Sequence, residues 1–459
     1  MNLIFRRRIL AVLGLCVILV PFAAIPAQAQ TASAPAIPAD SESLIALAYR
    51  YALPVYEIAR LRYRQSFDPS NPQRIPLNTL VHARMLADHT SRFVTTPNND
   101  TLYSSANLDL RFGPVRIDVP NFTARYNSLA FMDEYTNNFA YIGRRTTGPG
   151  PGSFLVASPA WHGNPPPGVK IIHAPTPDVT LLVRILIDGP EDLDAVHRLQ
   201  DEIVLTAPAP DPHEPAPIAP ILDDGPNFAA VVNQALGLNP PPAEDALVLA
   251  KIAKVGIAPG AGPLSPEMEQ LWRKDFPKAQ AGLRSATLAL QPVNGWSYAA
   301  HDIGNFGVDY DLRAAVALGG LLALTREEAI YGTAVTDSAG RALDASHRYR
   351  LHVPAHLPID AFWSISSYEV EPDGRLYFFD NPLRRYAIGD RTSGLKRNAD
   401  GSIDILVQRD PPASDQTANW LPVAPSGQGR LTLRLYQPRA EILDGRFAFP
   451  ALEPLEEIR

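Results

Sequence analysis

The sequence predicts a mainly β protein with helices, an α+β chain in which two β-sandwich or jelly-roll-like sheet domains are joined by a helical and proline-rich segment. Three observations predict it. Short runs of alternating polarity follow one another between residues 102 and 188, broken by Gly and Pro at the spacing of a sandwich. A second such series lies between residues 347 and 436, and between the two stands a proline-spaced stretch followed by runs of helical period.

Taken in order, residues 1–29 read as a secretory signal peptide: Arg6, Arg7 and Arg8, then an apolar run from Ile9 to Ile25, then Ala27-Gln28-Ala29. The lone cysteine, Cys16, falls inside that run, so a mature chain from Gln30 carries no disulfide and is expected in the periplasm or secreted. The apolar run is short of the ~20 residues a spanning helix needs, so no stable membrane insertion is expected after cleavage. With 459 residues in the whole chain, the remainder is too long for one core. Its formal charge, already −7 with the three leader arginines included, argues against nucleic acid as a partner. Proline, at 46 residues, is abundant, which suggests fixed turns rather than disorder when 46% of residues are apolar.

Residues 30–40 form a flexible leader, and 41–205 an N-terminal domain. Leu44, Leu47, Ala48, Tyr51, Val55 and Ile58 predict a helix over 41–64 that Pro54 kinks. A second helix is expected over 78–90. Strands are expected at 102–110, 115–119, 126–133, 139–144, 153–157, 169–173 and 179–188, and then a helix opened by Gly189-Pro190-Glu191-Asp192. Residues 206–290 begin as a stiff proline linker and continue as helices over 228–236, 243–255 and 265–290, expected to pack on the sheets. Residues 291–459 form a C-terminal β-rich domain with a helix over 310–324 and strands at 347–353, 362–370, 376–379, 402–408 and 431–436. Pro372-Asp373-Gly374 marks one of its turns.

The densest polar chemistry is Thr95-Thr96-Pro97-Asn98-Asn99-Asp100-Thr101-Leu102-Tyr103-Ser104-Ser105. Pro97 fixes φ and the Asx residues bond their own backbone, so the stretch is a shaped turn leading into a strand. Asn98 and Asn99 either only make that corner or, with Tyr103, face a ligand. Asp133, Tyr135 and Asn137 share a parity, and Arg184 lies amid Leu181, Leu182, Val183 and Ile185. A buried charge needs a partner, so these are either structural ion pairs or a site. On the second reading Asp100, Asp133 and Tyr135 are acid/base groups, and Arg144 or Arg184 holds an anionic substrate. Asn305, Asp309 and Arg391 lie on Gly-bounded loops that either cap and pair locally or project into a cleft. Trp296, Trp363 and Trp420 are sugar platforms or core.

No metal is expected. His82 and His89, seven apart on the helix predicted there, lie about 10.5 Å apart along its axis, and His347 and His352 have opposite parity on a strand. No Gly-x-Ser-x-Gly elbow is present, and Ser104-Ser105 falls within a strand.

Through Thr96–Ser105, Phe139–Gly148 and Asp188–Leu193, the first half resembles the bacterial domain of unknown function 1254. Through Asn294–Trp296, Asp360–Ser364, Asp380–Pro382, Arg385–Thr392 and Asn419–Pro422, the second resembles domain of unknown function 1214, which commonly follows it. The resemblance spans nearly the whole mature chain and implies a two-part β-rich fold with no agreed reaction; Asn107 departs from an aromatic residue expected in many relatives. Function is therefore expected from the residues: a cofactor-free hydrolase or lyase acting on a small or oligomeric compound in an interdomain cleft. The alternative is a non-catalytic periplasmic protein that binds a small-molecule or oligosaccharide-like ligand or organises the envelope.

Overall fold

Alternating polarity buries one face of strands such as Val115–Val119 and Arg348–Val353, while Asn127–Met132 is buried on both. The computed structural model describes residue 38 and residues 40–455, apart from 93–94, 210–215, 286–291, 372–374 and 425–428. The signal peptide, Cys16, most of the leader, the end of the 265–290 helix and the Pro372-Asp373-Gly374 turn lie outside the described residues. Thr101–Asp109, Asp178–Leu186, Asn127–Met132 and Asn138–Gly143 pair in that order, with Val81–His82 on the Thr101 edge. A second sheet runs Lys170–His173, Gly152–Ala157, Val115–Val119, Val204–Thr206. The two sheets close over Leu102, Leu108, Ile117, Phe131, Phe154 and Val183 as one sandwich.

The second half repeats this topology. Its larger sheet runs Trp296–Tyr298, Ala329–Ala334, Arg430–Tyr436, Trp363–Val370, and Ala387–Gly389 pairs with Trp363–Val370. Its smaller sheet runs Trp420–Pro422, Ile403–Gln408, Arg348–Val353, Leu452–Leu455. Numbered along the chain, each strand takes the same place as its counterpart, Leu376–Tyr377 being an addition. Even the direction of pairing matches: Gly152–Ala157 with Lys170–His173 and Ile403–Gln408 with Trp420–Pro422 are the parallel pairs. The chain is a tandem repeat of one sandwich, which the strand residues alone do not reveal.

The two larger sheets face each other across a seam. Tyr126, Ala130, Met132 and Leu186 pack there against Leu324, Ala329, Phe362 and Tyr436. The helices do not cover the sheets as expected; they form a core of their own. Ser41–Ser66 continues through Pro54 and packs Ile45, Ala48, Tyr51 and Val55 against Phe228, Val232, Trp272 and Phe276 from Gly225–Leu238 and Pro266–Ser285. The helix expected over 78–90 is absent. Asn78 N–H bonds Asn107 O and Ala83 N–H bonds Tyr103 O, so this segment joins the sheet edge. Among the described residues no helix is long and apolar enough to cross a membrane.

Candidate functional site

The polar turn sits at one end of the seam and is gripped from the opposite repeat. Asn98 Oδ1 accepts from the N–H groups of Asp100 at 2.6 Å and Thr101 at 3.2 Å, an Asx turn, while its Nδ2 donates to Tyr436 OH at 2.8 Å. Thr96 adopts a left-handed backbone, φ 55°, uncommon for a β-branched residue. The turn is fixed by Thr96 N–H to Leu376 O at 2.8 Å and by Arg434 donating to the carbonyls of Thr96 and Pro97. Asn99 Nδ2 donates to Ala87 O at 2.5 Å. Both asparagines therefore build the corner.

Asp100, buried, accepts from Ser364 Oγ at 2.6 Å and faces Arg391 Nη2 at 3.6 Å. Its counterpart at the head of the matching strand, Glu328, accepts from Tyr126 OH at 2.8 Å and Arg145 Nε at 2.7 Å. Each repeat thus gives the other a carboxylate and receives an arginine, as in a twofold contact between identical subunits. Burial raises the phenols of Tyr126, Tyr368 and Tyr436 above their ordinary value, so they stay neutral in the seam.

Arg145 and Arg391 leave matching turns, Gly143-Arg144-Arg145-Thr146 and Gly389-Asp390-Arg391-Thr392. Arg391 Nη1 donates to Ile187 O at 2.7 Å and its guanidinium lies 4.4 Å over the Phe362 ring. On one side of it is a cavity of about 620 Å³ bounded by Arg125, Tyr126, Arg144, Leu186, Phe362 and Asp390. On the other side a cavity of about 410 Å³ reaches Asn99, Asp100, Arg384 and Tyr386. Arg144 is exposed at the mouth of the larger one and makes no ion pair among the described residues. Asp390 lies opposite; burial pushes its carboxyl above the usual range against the pull of Arg391, and its Oδ1 has no hydrogen-bond partner.

The other expected catalytic groups are elsewhere. Thr101 pairs with Leu186 and Met132 with Thr180, which at about 3.3 Å per residue puts Asp100 and Asp133 more than about 25 Å apart at opposite ends of the sheet. They cannot act on one bond. Asp133 Oδ1 accepts from the N–H groups of Tyr135 at 2.9 Å and Asn137 at 2.8 Å, closing a turn. Tyr135 is buried in the helical core with its OH on Asn239 O at 2.8 Å. Asn137 Oδ1 accepts from Phe306 N–H at 3.1 Å, tying that turn to the loop that carries Asn305, which is exposed. Asp309 caps helix Tyr310–Gly319 through Leu312 N–H at 2.9 Å.

So the seam gathers Asn98, Asn99, Asp100, Tyr103, Arg184 and Arg391, with Arg144 at its rim, and leaves out Asp133, Tyr135, Asn137, Asn305 and Asp309. Trp296, Trp363 and Trp420 are core residues. Among the described residues no group of three or more His, Cys, Asp or Glu could hold a metal. Sequence reasoning missed Arg434, Tyr436 and Ser364. For Arg434 and Tyr436 the signal was present: in Leu431–Tyr436, Thr432, Arg434 and Tyr436 share the face opposite Leu431, Leu433 and Leu435, the pattern that singled out Arg184.

No curated protein matches the chain. An uncharacterised protein from Burkholderia cenocepacia aligns over 91% of this chain and 93% of its own at 14% identity and a TM-score of 0.43. The VPA0106 protein from Vibrio parahaemolyticus shares the fold, with a TM-score of 0.70 and 23% identity over 91% of this chain and 100% of its own. Residues 77–207 match the protein of unknown function DUF1254 and residues 328–440 match the protein of unknown function DUF1214. The chain belongs to the family of proteins of unknown function in which a DUF1254 domain is followed by a DUF1214 domain.

Proposed function

We propose that the chain binds a small organic anion in the cavity beside Arg391, with Arg144 and Arg391 receiving the acidic group and Tyr126 and Phe362 lining its body. The observation that supports this most is Arg144, a cation without an ion pair among the described residues, set at the mouth of a cavity of about 620 Å³, within the range of small-ligand sites. The ligand would come between the repeats, where the exported mature chain meets imported or envelope compounds. Thermal unfolding with a panel of small organic acids and phosphate esters tests it. At ligand well above Kd the midpoint is expected to rise by a few degrees, on the order of 1–3 kcal/mol of linkage, and Arg144→Ala is expected to lose the response. A response unchanged in Arg144→Ala overturns the reading. Export is checked separately: the N-terminus of the protein from fractionated cells is expected near Gln30.

A second reading, hydrolase or lyase chemistry, is favoured by Asp390. A carboxyl raised by burial, in the cavity lining and with its Oδ1 3.9 Å from Arg391 Nε, suits a general acid or base. Asp390→Asn is expected to keep ligand binding and lose turnover; turnover retained in that variant rejects it.

A further inference from the structure

Tyr103, Arg184 and Ser128 stand side by side across three strands of the first repeat, and Tyr331, Arg434 and Ser364 take the same places in the second. The two rows face the seam, yet their bonding differs. Arg434 donates to Ser366 Oγ and Tyr368 OH, both at 2.7 Å, and to two carbonyls of the polar turn, while Ser364 Oγ donates to Asp100. Arg184 is 6% exposed and makes one hydrogen bond, Nε to Tyr103 OH at 3.3 Å. Its Nη1 and the Ser128 Oγ are buried without partners, and among the described residues it makes no ion pair.

A guanidinium taken out of water with no counter-charge is costly, and an orphaned hydroxyl beside it adds to that cost. Where the second repeat satisfies these positions with protein groups, the first gives Arg184, among the described residues, the Tyr103 hydroxyl and its ring at 5.1 Å, and gives Ser128 Oγ no partner. We propose that the seam at Arg184 is a binding site for a small monocarboxylate, one oxygen accepting from Arg184 Nη1 and the other from Ser128 Oγ. Two donors on neighbouring strands, about 5 Å apart at Cβ, suit a planar two-oxygen acceptor; a phosphate dianion would leave oxygens unsatisfied. The route in is from the side away from Arg391. One row further along the sheets, about 7 Å from Arg184, Ser105, Leu182 and Thr333 are half-buried, so water reaches the space between the sheets. Tyr103 and Tyr331, also half-buried, flank that approach, the Tyr103 ring lying under the Arg184 guanidinium.

Calorimetric titration of the protein with sodium acetate and sodium benzoate, against sodium chloride and sodium phosphate at equal ionic strength, tests the site. With the site beside Arg391 removed by Arg144→Ala, the carboxylates are expected to bind saturably at one per chain, benzoate more tightly. In that background Arg184→Met is expected to weaken them at least tenfold and Ser128→Ala three- to tenfold, which separates this site from the cavity beside Arg391. No saturable carboxylate binding, phosphate binding more tightly than either carboxylate, or full affinity in Arg184→Met overturns the proposal. Should Arg184→Met fail to fold, Ser128→Ala decides, full affinity there counting against the site.

Discussion

Asp133 holds its turn through two backbone N–H groups, and burial nevertheless pushes its carboxyl up to about 6. The sign follows from linkage. Between the ordinary carboxylate value and about 6 the folded chain keeps a proton that the unfolded chain has released, so this group's contribution to stability falls as pH rises through that window. A shift of about two pH units corresponds to roughly 3 kcal/mol lost by neutral pH. Asp133→Asn keeps the backbone acceptor but cannot ionise, and sets a donor against Asn137 Nδ2, which already contacts Oδ2 at 3.1 Å. In urea unfolding at pH 4.5 and 7.5, the variant is expected to gain on the wild type by on the order of 2–3 kcal/mol at the higher pH. A wild-type-minus-variant difference that does not move with pH contradicts this account. Asp133 is thus a buried acid that closes a turn, and Asp309 caps a helix, both through local hydrogen bonds to backbone N–H groups.

At the scale of elements, the matching turns after Asn138–Gly143 and Ala387–Gly389 deliver Arg145 and Arg391 to the seam, and their glycines allow it. A Cβ on Gly389 would lie 2.2 Å from Trp363 O, and one on Gly143 2.5 Å from Asn127 O, both backbone atoms that cannot swing aside. Gly389→Ala is expected to destabilise the protein by about 2 kcal/mol or more, whereas Gly150→Ala, which meets nothing within 4 Å, is expected to be near neutral. Equal midpoints in chemical denaturation would show that the turn has slack. Val115–Val119 and Arg348–Val353 were legible because each buries one face and shows it as period-two alternation, whereas Asn127–Met132 and Asp178–Leu186 are short apolar runs buried on both faces. Residues 78–90 were not, since their apolar spacing fits a helix while their backbone bonds go to the sheet edge, a tertiary choice that local pattern does not carry. Ile142-Gly143-Arg144-Arg145-Thr146 against Ile388-Gly389-Asp390-Arg391-Thr392 is where the repeat can be read from residues, and it marks the seam.

For the whole molecule, the swapped pairs Asp100 with Arg391 and Glu328 with Arg145 join the repeats. Glu328→Ala would strand the Tyr126 hydroxyl and the Arg145 charge, and is expected to cost about 2–4 kcal/mol; an unchanged unfolding midpoint would show that the pair is dispensable. The helical core carries a further prediction, that residues 41–205 do not fold by themselves. Helix Ser41–Ser66 is encoded with the first sandwich, yet Ile45, Ala48, Tyr51 and Val55 are buried by helices that lie beyond residue 224 and by Tyr135. Tyr51 OH also donates to Asp245 Oδ2 at 3.0 Å, a contact that the first half cannot make by itself. A fragment of residues 41–205 is therefore left with an apolar helix face and no cover, and is expected to aggregate or bind hydrophobic dyes without a cooperative transition. Co-expressed with residues 206–455 it is expected to assemble into a soluble complex whose near-ultraviolet circular dichroism matches the intact chain. A 41–205 fragment that unfolds cooperatively by itself would mean that the helix finds its cover within the first half, and that the two repeats are joined only by their seam.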